Sequence, residues 1–214
     1  MDLLFEGFSF DEFGNVKKKK SENRFSIWDD DAYSADIHPS LKNIGVLFPK
    51  FNKQGDYRWL SIRTWEANEP DQVKWFKKIK IEQSPKDIDA IADEFAQAIR
   101  HFVWKTDNCF VCNAPQGHSK TEKHFITEVG KVVAVKLNCE YVKMFSDRHL
   151  KGGTYPDLKQ DRGQITVVGH SAKPVCILLD DICTSGMTMI NCIRALRDDY
   201  TLVPICWMYG KKKS

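Results

Sequence analysis

No apolar run in these 214 residues approaches the ~20 needed to cross a bilayer. The opening Met1-Asp2-Leu3-Leu4-Phe5-Glu6 also lacks the basic-then-apolar order of a secretory leader. A cytoplasmic protein with no membrane partner is the expectation. Charge of one sign is scarce: 32 basic and 29 acidic residues leave a net +3, and the excess sits in Lys17–Lys20 and Lys211–Lys213 rather than on a face. Those runs read as solvated tails, and charge gives only a weak signal for single-stranded DNA as a partner. Paired cysteine is missing as well. The seven cysteines are odd in number and lie in apolar stretches such as Val175-Cys176-Ile177 and Ile205-Cys206-Trp207. Reduced, buried thiols are expected, not a disulfide framework. Cys109-x-x-Cys112 falls on a strand-like run, where residues three apart point to opposite faces, and no second pair follows at metal spacing. Its expected role is structural.

What is present is an ordinary globular composition, 42% hydrophobic and 29% charged, in a chain of single-domain size. Residues 1–24 show no sustained period and read as an extension. Residues 25–83 read as a hood-like region with a hairpin, since Val46-Leu47-Phe48 and Tyr57 to Ile62 flank the turn signal Asn52-Lys53-Gln54-Gly55-Asp56. Residues 84–210 form the core, and 211–214 a basic tail. Ser84-Pro85 opens the clearest helix, with Ile88, Ile91, Ala92, Phe95, Ile99, Phe102 and Val103 at helical spacing. A strand at 109–112 and a loop at 113–119 follow, then a helix through Phe125, Val129, Val132, Val133 and Leu137, and a strand at 141–145. The polar segment 146–162 has the length of a functional loop. Strands at 165–168 and 175–179, a helix through Met189, Cys192, Ile193 and Leu196, and a strand at 202–208 complete the pattern. Strand and helix alternate, so the expected fold is α/β, with a mainly parallel sheet flanked by helices.

One segment carries chemistry. Val175 to Leu179 is continuously apolar, as in a strand covered on both faces, and it feeds Asp180-Asp181-Ile182-Cys183-Thr184-Ser185-Gly186-Met187-Thr188 at the start of a helix. A helix N-terminus offers unpaired N–H groups and the positive end of a dipole, so a monophosphate fits there. Gly186 removes a Cβ, and the hydroxyls of Thr184, Ser185 and Thr188 can donate to phosphate oxygens. Carboxylates beside a phosphate would repel it, so Asp180 and Asp181 are better read as acceptors for the vicinal hydroxyls of a ribose. A sugar phosphate is the expected ligand. His118 and His124, near the loop at 113–119, read as exposed loop histidines, with an acid/base role as the lesser alternative.

Ile177 to Met189 resembles the phosphoribosyl pyrophosphate signature of type I phosphoribosyltransferases: a hydrophobic strand, Asp-Asp, two variable residues, Thr-Thr/Ser-Gly and a further Thr. The order of elements over about 70 to 210 is similar too. The layout looks most like the ComF group associated with DNA uptake, through a stretch like Asp161-Arg162 before the last strands. Three features depart from that group. No Cys-x-x-Cys pair precedes Cys109, Thr121-Glu122-Lys123-His124-Phe125 replaces an Arg-Gly-Phe-Asn-Gln stretch, and Ile165 stands where an asparagine is expected.

The resemblance implies a phosphoribosyltransferase-like core with an N-terminal extension or hood. It implies phosphoribosyl pyrophosphate as donor and a nitrogenous base or nucleotide as acceptor. Asp180 and Asp181 would take the ribose, and Cys183, Thr184, Ser185, Gly186, Met187 and Thr188 the 5-phosphate. Pro115, Gln116, Gly117, His118 and Ser119 would form the pyrophosphate loop, and Arg148, Lys151 and Arg162 would belong to a flexible loop that closes over the site. Mg²⁺ would arrive on the donor, with no direct protein ligand; the oligomeric state is left open, a dimer being one option. The alternative is a non-catalytic, ComF-like module that binds nucleotide or donor and assists DNA handling.

Overall fold

The structure, a computed structural model, describes residues 41–42, 44–66, 70–103, 105–115, 123–147 and 165–211. The extension 1–24 with its lysine run, Gln116 to Ser119 of the expected pyrophosphate loop, and Arg148, Lys151 and Arg162 lie outside them. Among the described residues, six strands, β1 (Val46–Gln54), β2 (Tyr57–Glu66), β3 (Cys109–Asn113), β4 (Glu140–Tyr141), β5 (Val175–Cys183) and β6 (Thr201–Lys211), form one sheet in the order β1-β2-β6-β5-β3-β4. Only β1 runs antiparallel to its neighbour. Four helices among the described residues pack on the sheet: α1 (Pro70–Glu82), α2 (Pro85–Phe102), α3 (Phe125–Leu137) and α4 (Met187–Leu196). The α/β architecture with a mainly parallel sheet is thus as the alternation of strand and helix requires. No helix among the described residues is long and apolar enough to cross a membrane.

The apolar run of β5 has partners on both sides. Ile177 and Leu179 enter one core with residues of α1, α2 and α3, whereas Cys176 and Leu178 enter a second with Met189, Ile193 and Leu196 of α4. Helix α2 is seated by Ser84, whose hydroxyl accepts from the Asp87 N–H at 3.2 Å, and by Ile91, Phe95 and Ile99, which are fully buried. Cys109 and Cys112 enter opposite cores, as strand alternation demands, and every described cysteine is free.

Several elements differ from the sequence pattern. Strand β2 pairs in parallel with β6 from Leu60 to Glu66, so the hairpin extends the main sheet and covers what would be an open edge. Helix α1, absent from the pattern, buries only a thin stripe at Phe76 and Ile79. The strand expected at 141–145 shrinks to Glu140–Tyr141, and that at 165–168 to an isolated antiparallel bridge, Phe145 with Val167. Val167 and Val168 are exposed there, so their β-branched run has no core to face.

A buried ion pair ties the hairpin to the rest. Arg63 donates from Nε to Glu94 Oε2 at 2.7 Å and from Nη2 to Oε1 at 2.5 Å, and its Nη1 reaches the carbonyls of Leu41 and Ile44 at 3.2 and 2.8 Å. Trp207 of β6 adds an indole N–H to Glu94 Oε2 at 2.8 Å. Removing one member strands the other charge away from water, at a cost of about 3–5 kcal/mol. Glu94→Gln is therefore expected to lower the melting temperature by about 10 °C. The double change Arg63→Met with Glu94→Leu should lose clearly less in the same thermal melt. Equal losses would show that the pair's charges are not what matters.

Candidate functional site

The winding of the chain reverses between β3 and β5. From β3 it passes through α3, packed in one core, outward to β4; from β5 it passes through α4, packed in the other, to β6 on the opposite side. Adjacent parallel strands with diverging connections leave a crevice at their carboxyl ends, where open α/β sheets hold ligands. Ala114 N donates to Leu179 O at 2.8 Å, so the exit of β3 at Ala114-Pro115 lies beside Asp180 on β5.

The acidic pair is strand rather than turn, because β5 continues through Asp180 and Asp181 to Cys183 along β6. Both carboxyls are consequently buried, at 7% and 8% exposure. Asp180 Oδ1 accepts from the Asp181 N–H at 2.9 Å, and Cys183 Sγ lies 3.8 Å from Oδ2. Burial, then the neighbouring Asp181 charge, push the Asp180 carboxyl up to about 8. Asp181 forms an ion pair with Lys80, which the sequence pattern did not single out. Lys80 sits near the end of α1, its ammonium 5.3 Å from the Phe76 ring centroid. The available signal was Pro70-Asp71 as a helix start, with Phe76 and Ile79 three apart.

Beyond the strand, Thr184 and Ser185 are exposed, Thr188 is half-buried, and Met187 is exposed on the first turn of α4. Gly186 is the N-cap residue of α4, with φ +69°, and no side chain caps this helix. The glycine is required twice. A side chain rarely adopts that φ, and a Cβ would lie 2.5 Å from the ring of Trp59, which packs on the turn. Cys183 differs from the others of the expected phosphate set: its side chain is sunk in the core among Trp59, Met189 and Cys206, so it can offer a phosphate only backbone.

A polar chain lines the β3 side of the crevice. His124, expected as an exposed loop histidine, is half-buried at the N-cap of α3, and its Nδ1 lies 3.0 Å from Thr127 Oγ1. Thr127 Oγ1 donates to Asn113 Oδ1 at 3.3 Å, the Tyr141 hydroxyl donates to the same oxygen, and Asn113 Nδ2 donates to Ala114 O at 2.7 Å. Burial lowers the His124 pKa from its ordinary value, with opposing contributions from Asp181 and Lys80. Pro115 is buried at the mouth of the loop. Among the described residues, no three His, Cys, Asp or Glu side chains converge as a metal cage.

No family model matches the chain, and no curated protein matches it in sequence. Among solved structures it is similar to an adenine phosphoribosyl transferase from Trypanosoma brucei in complex with AMP, pyrophosphate and ribose-5-phosphate. The two are 14% identical, with a TM-score of 0.42 over 71% of this chain and 83% of that one. An adenine phosphoribosyltransferase from Leishmania tarentolae is 12% identical, with a TM-score of 0.42 over 95% of this chain and 94% of the other. An orotate phosphoribosyltransferase from Aeropyrum pernix is 15% identical, with a TM-score of 0.31 over 56% and 60%.

The raised Asp180 pKa makes stability depend on pH. A carboxyl whose folded pKa lies above its unfolded value of ~3.9 contributes most below pH ~4 and loses that contribution as pH rises toward 8. Asp180→Asn keeps the shape and removes the titration. It is expected to melt higher than the parent at pH 8.5, by more than ~1 kcal/mol, and nearly with it at pH 4.5. A difference that does not change with pH would contradict the buried-carboxyl account.

Proposed function

We propose that this chain binds phosphoribosyl pyrophosphate and transfers its phosphoribosyl group to a nitrogenous acceptor. The observation that carries this reading is a pair of buried, adjacent carboxyls at the switch point of the sheet, followed directly by a glycine-opened helix end without a side-chain cap. The 5-phosphate would lie at the start of α4, receiving backbone N–H groups and the hydroxyls of Thr184, Ser185 and Thr188. Asp180 and Asp181 would receive the ribose hydroxyls. With its pKa pushed up to about 8, Asp180 can also donate a proton to a hydroxyl oxygen near neutral pH. Lys80 places a positive charge beside this pair and faces a highly anionic donor.

Loss of pyrophosphate from C1 leaves an oxocarbenium-like centre, so catalysis rests on alignment and on neutralising the departing charge. The crevice supplies alignment by fixing phosphate and ribose at two points of one rigid strand-to-helix unit. Mg²⁺ arriving with the donor, with no direct protein ligand, would supply positive charge against the leaving group. The leaving group would be directed toward the loop that starts at Ala114-Pro115, with Gln116, Gly117, His118 and Ser119 completing it. Arg148, Lys151 and Arg162 would close over the donor.

Titration calorimetry with phosphoribosyl pyrophosphate and Mg²⁺ tests the first half, and pyrophosphate release across a panel of purine and pyrimidine bases the second. Asp181→Asn removes a charged acceptor and is expected to weaken donor binding at least tenfold, or ~1.4 kcal/mol. Unchanged affinity would show that the ribose lies elsewhere. Lys80→Met, with its fold checked by circular dichroism, is also expected to weaken the donor about tenfold. Tighter binding would mean that Lys80 competes with the ribose instead of attracting the phosphates. Donor binding with no release from any base would favour a non-catalytic binding module.

A further inference from the structure

We propose that Lys80 is the resident cation of the ribose end of the site: its ammonium serves Asp181 in place of a divalent ion, so that the donor meets this carboxyl with no metal bridging it to the protein. This rests on the donor-binding reading above and adds to it a specificity-determining residue from outside the acidic segment. Asp180 and Asp181 are consecutive residues of β5, so their side chains leave the strand on opposite faces. Asp180 turns toward Cys183, whose Sγ lies 3.8 Å from its Oδ2, and Asp181 turns toward α1, where Lys80 pairs with its Oδ2. A divalent ion needs several oxygen ligands that converge on it. The two carboxyls diverge, one is already paired, and among the described residues no three His, Cys, Asp or Glu side chains come together. The residues present therefore do not fit a protein-bound divalent ion, and they do fit an ammonium.

Lys80 is held in this position by three features of the fold. Phe76 and Ile79 of α1 are buried in the core shared with α2 and α3, which fixes the face that the helix turns to β5. The Phe76 ring lies 5.3 Å from the ammonium and adds a cation–π contact. Just past the helix, Gln83 takes φ +46°, a left-handed conformation that side chains other than glycine seldom adopt. Its Nε2 donates to Lys80 O at 3.1 Å and to Lys123 O at 2.9 Å, tying the backbone of Lys80 to the chain just ahead of α3. The Lys80 side chain is nonetheless 32% exposed, so a ligand can meet it as well as Asp181. An ammonium has three donors, and one of them serves Asp181. The other two are available to oxygens of an anionic sugar diphosphate. The pairing engages Oδ2, and Oδ1 keeps lone pairs for a ribose hydroxyl. Paired in this way, Asp181 no longer repels an anionic donor.

Titration calorimetry of the full chain with phosphoribosyl pyrophosphate, run once with Mg²⁺ and once in EDTA, separates this inference from the reading it rests on. The parent should keep its binding in EDTA, weakened less than about tenfold. Lys80→Met should be weakened about tenfold with Mg²⁺ and at least about 100-fold in EDTA, because donor-borne Mg²⁺ can then stand beside the exposed Asp181 charge. Lys80→Gln should repeat that pattern, and it carries the test if Lys80→Met fails to fold. Lys77→Met removes the same charge from an exposed position of α1 and should match the parent in both conditions. With Mn²⁺ in place of Mg²⁺ and carbon-labelled aspartate, electron–nuclear double resonance of the parent complex should show no carboxyl bound to the ion. A bound carboxyl that Asp181→Asn removes overturns the proposal. Equal losses for Lys80→Met in the two conditions, or parent binding abolished by EDTA, overturn the role of Lys80 while donor binding stands. A loss in Lys77→Met as large as that in Lys80→Met also overturns it, since net charge would then suffice. Absence of donor binding with Mg²⁺ overturns the donor reading, and this role with it.

Discussion

The pairing of Arg63 with Glu94 inside the protein is the interaction on which most of the fold depends. A guanidinium and a carboxylate taken out of water are costly unless every donor and acceptor is met. Here the partners come from β2, α2, β6 and the chain ahead of β1, so the cost is offset only when all four pieces are in place. That requirement makes β2 part of the sheet rather than an appendage. A seated β2 also delivers Trp59 onto Gly186, which gives the turn before α4 its wall. The shape of the turn before α4 is thus inherited from a strand distant in sequence.

The site itself runs against stability. Burial and the neighbouring Asp181 charge make the Asp180 carboxyl resist ionisation, and the fold tolerates the pair with an ion pair from Lys80 to Asp181 and a backbone N–H to Asp180. Burying two adjacent carboxyls is costly to stability. Its merit is preorganisation: rigid acceptors at the carboxyl end of a parallel strand meet a ligand without reorganising. The same logic runs through Asn113, Thr127 and Tyr141. These polar groups satisfy one another at the edge of the crevice, and Thr127 contacts His124.

Legibility in the sequence followed the strength of local signals. Helix α2 was readable because Ser84-Pro85 starts it and seven apolar residues repeat at its period. Strand β5 was readable because its apolar run lacks alternation. Helix α1 was not, since only Phe76 and Ile79 are fully buried along a face otherwise rich in lysine. The exposed Val167 and Val168 misled in the opposite direction, being strand formers with no strand to join beyond one bridge. The acidic pair was taken for a turn because polar residues after an apolar run commonly end a strand. Its continuation through Cys183 is imposed by β6, which reaches Lys211 and supplies pairing partners as far as Tyr209.

By itself the sequence determined the candidate segment: Asp180, Asp181, the Thr184-Ser185-Gly186-Met187-Thr188 turn and the helix it opens, all within one short stretch whose physics is local. Only the tertiary structure decided what surrounds them. Lys80 reaches Asp181 from 101 positions earlier in the chain. Trp59 fills the space at Gly186, and Asn113, Thr127 and Tyr141 orient His124 across two strands and a helix. Hydrogen-bond direction, burial and charge proximity are properties of neighbours in space. A reading of neighbours along the chain therefore finds the candidate segment and leaves unseen the groups that surround it.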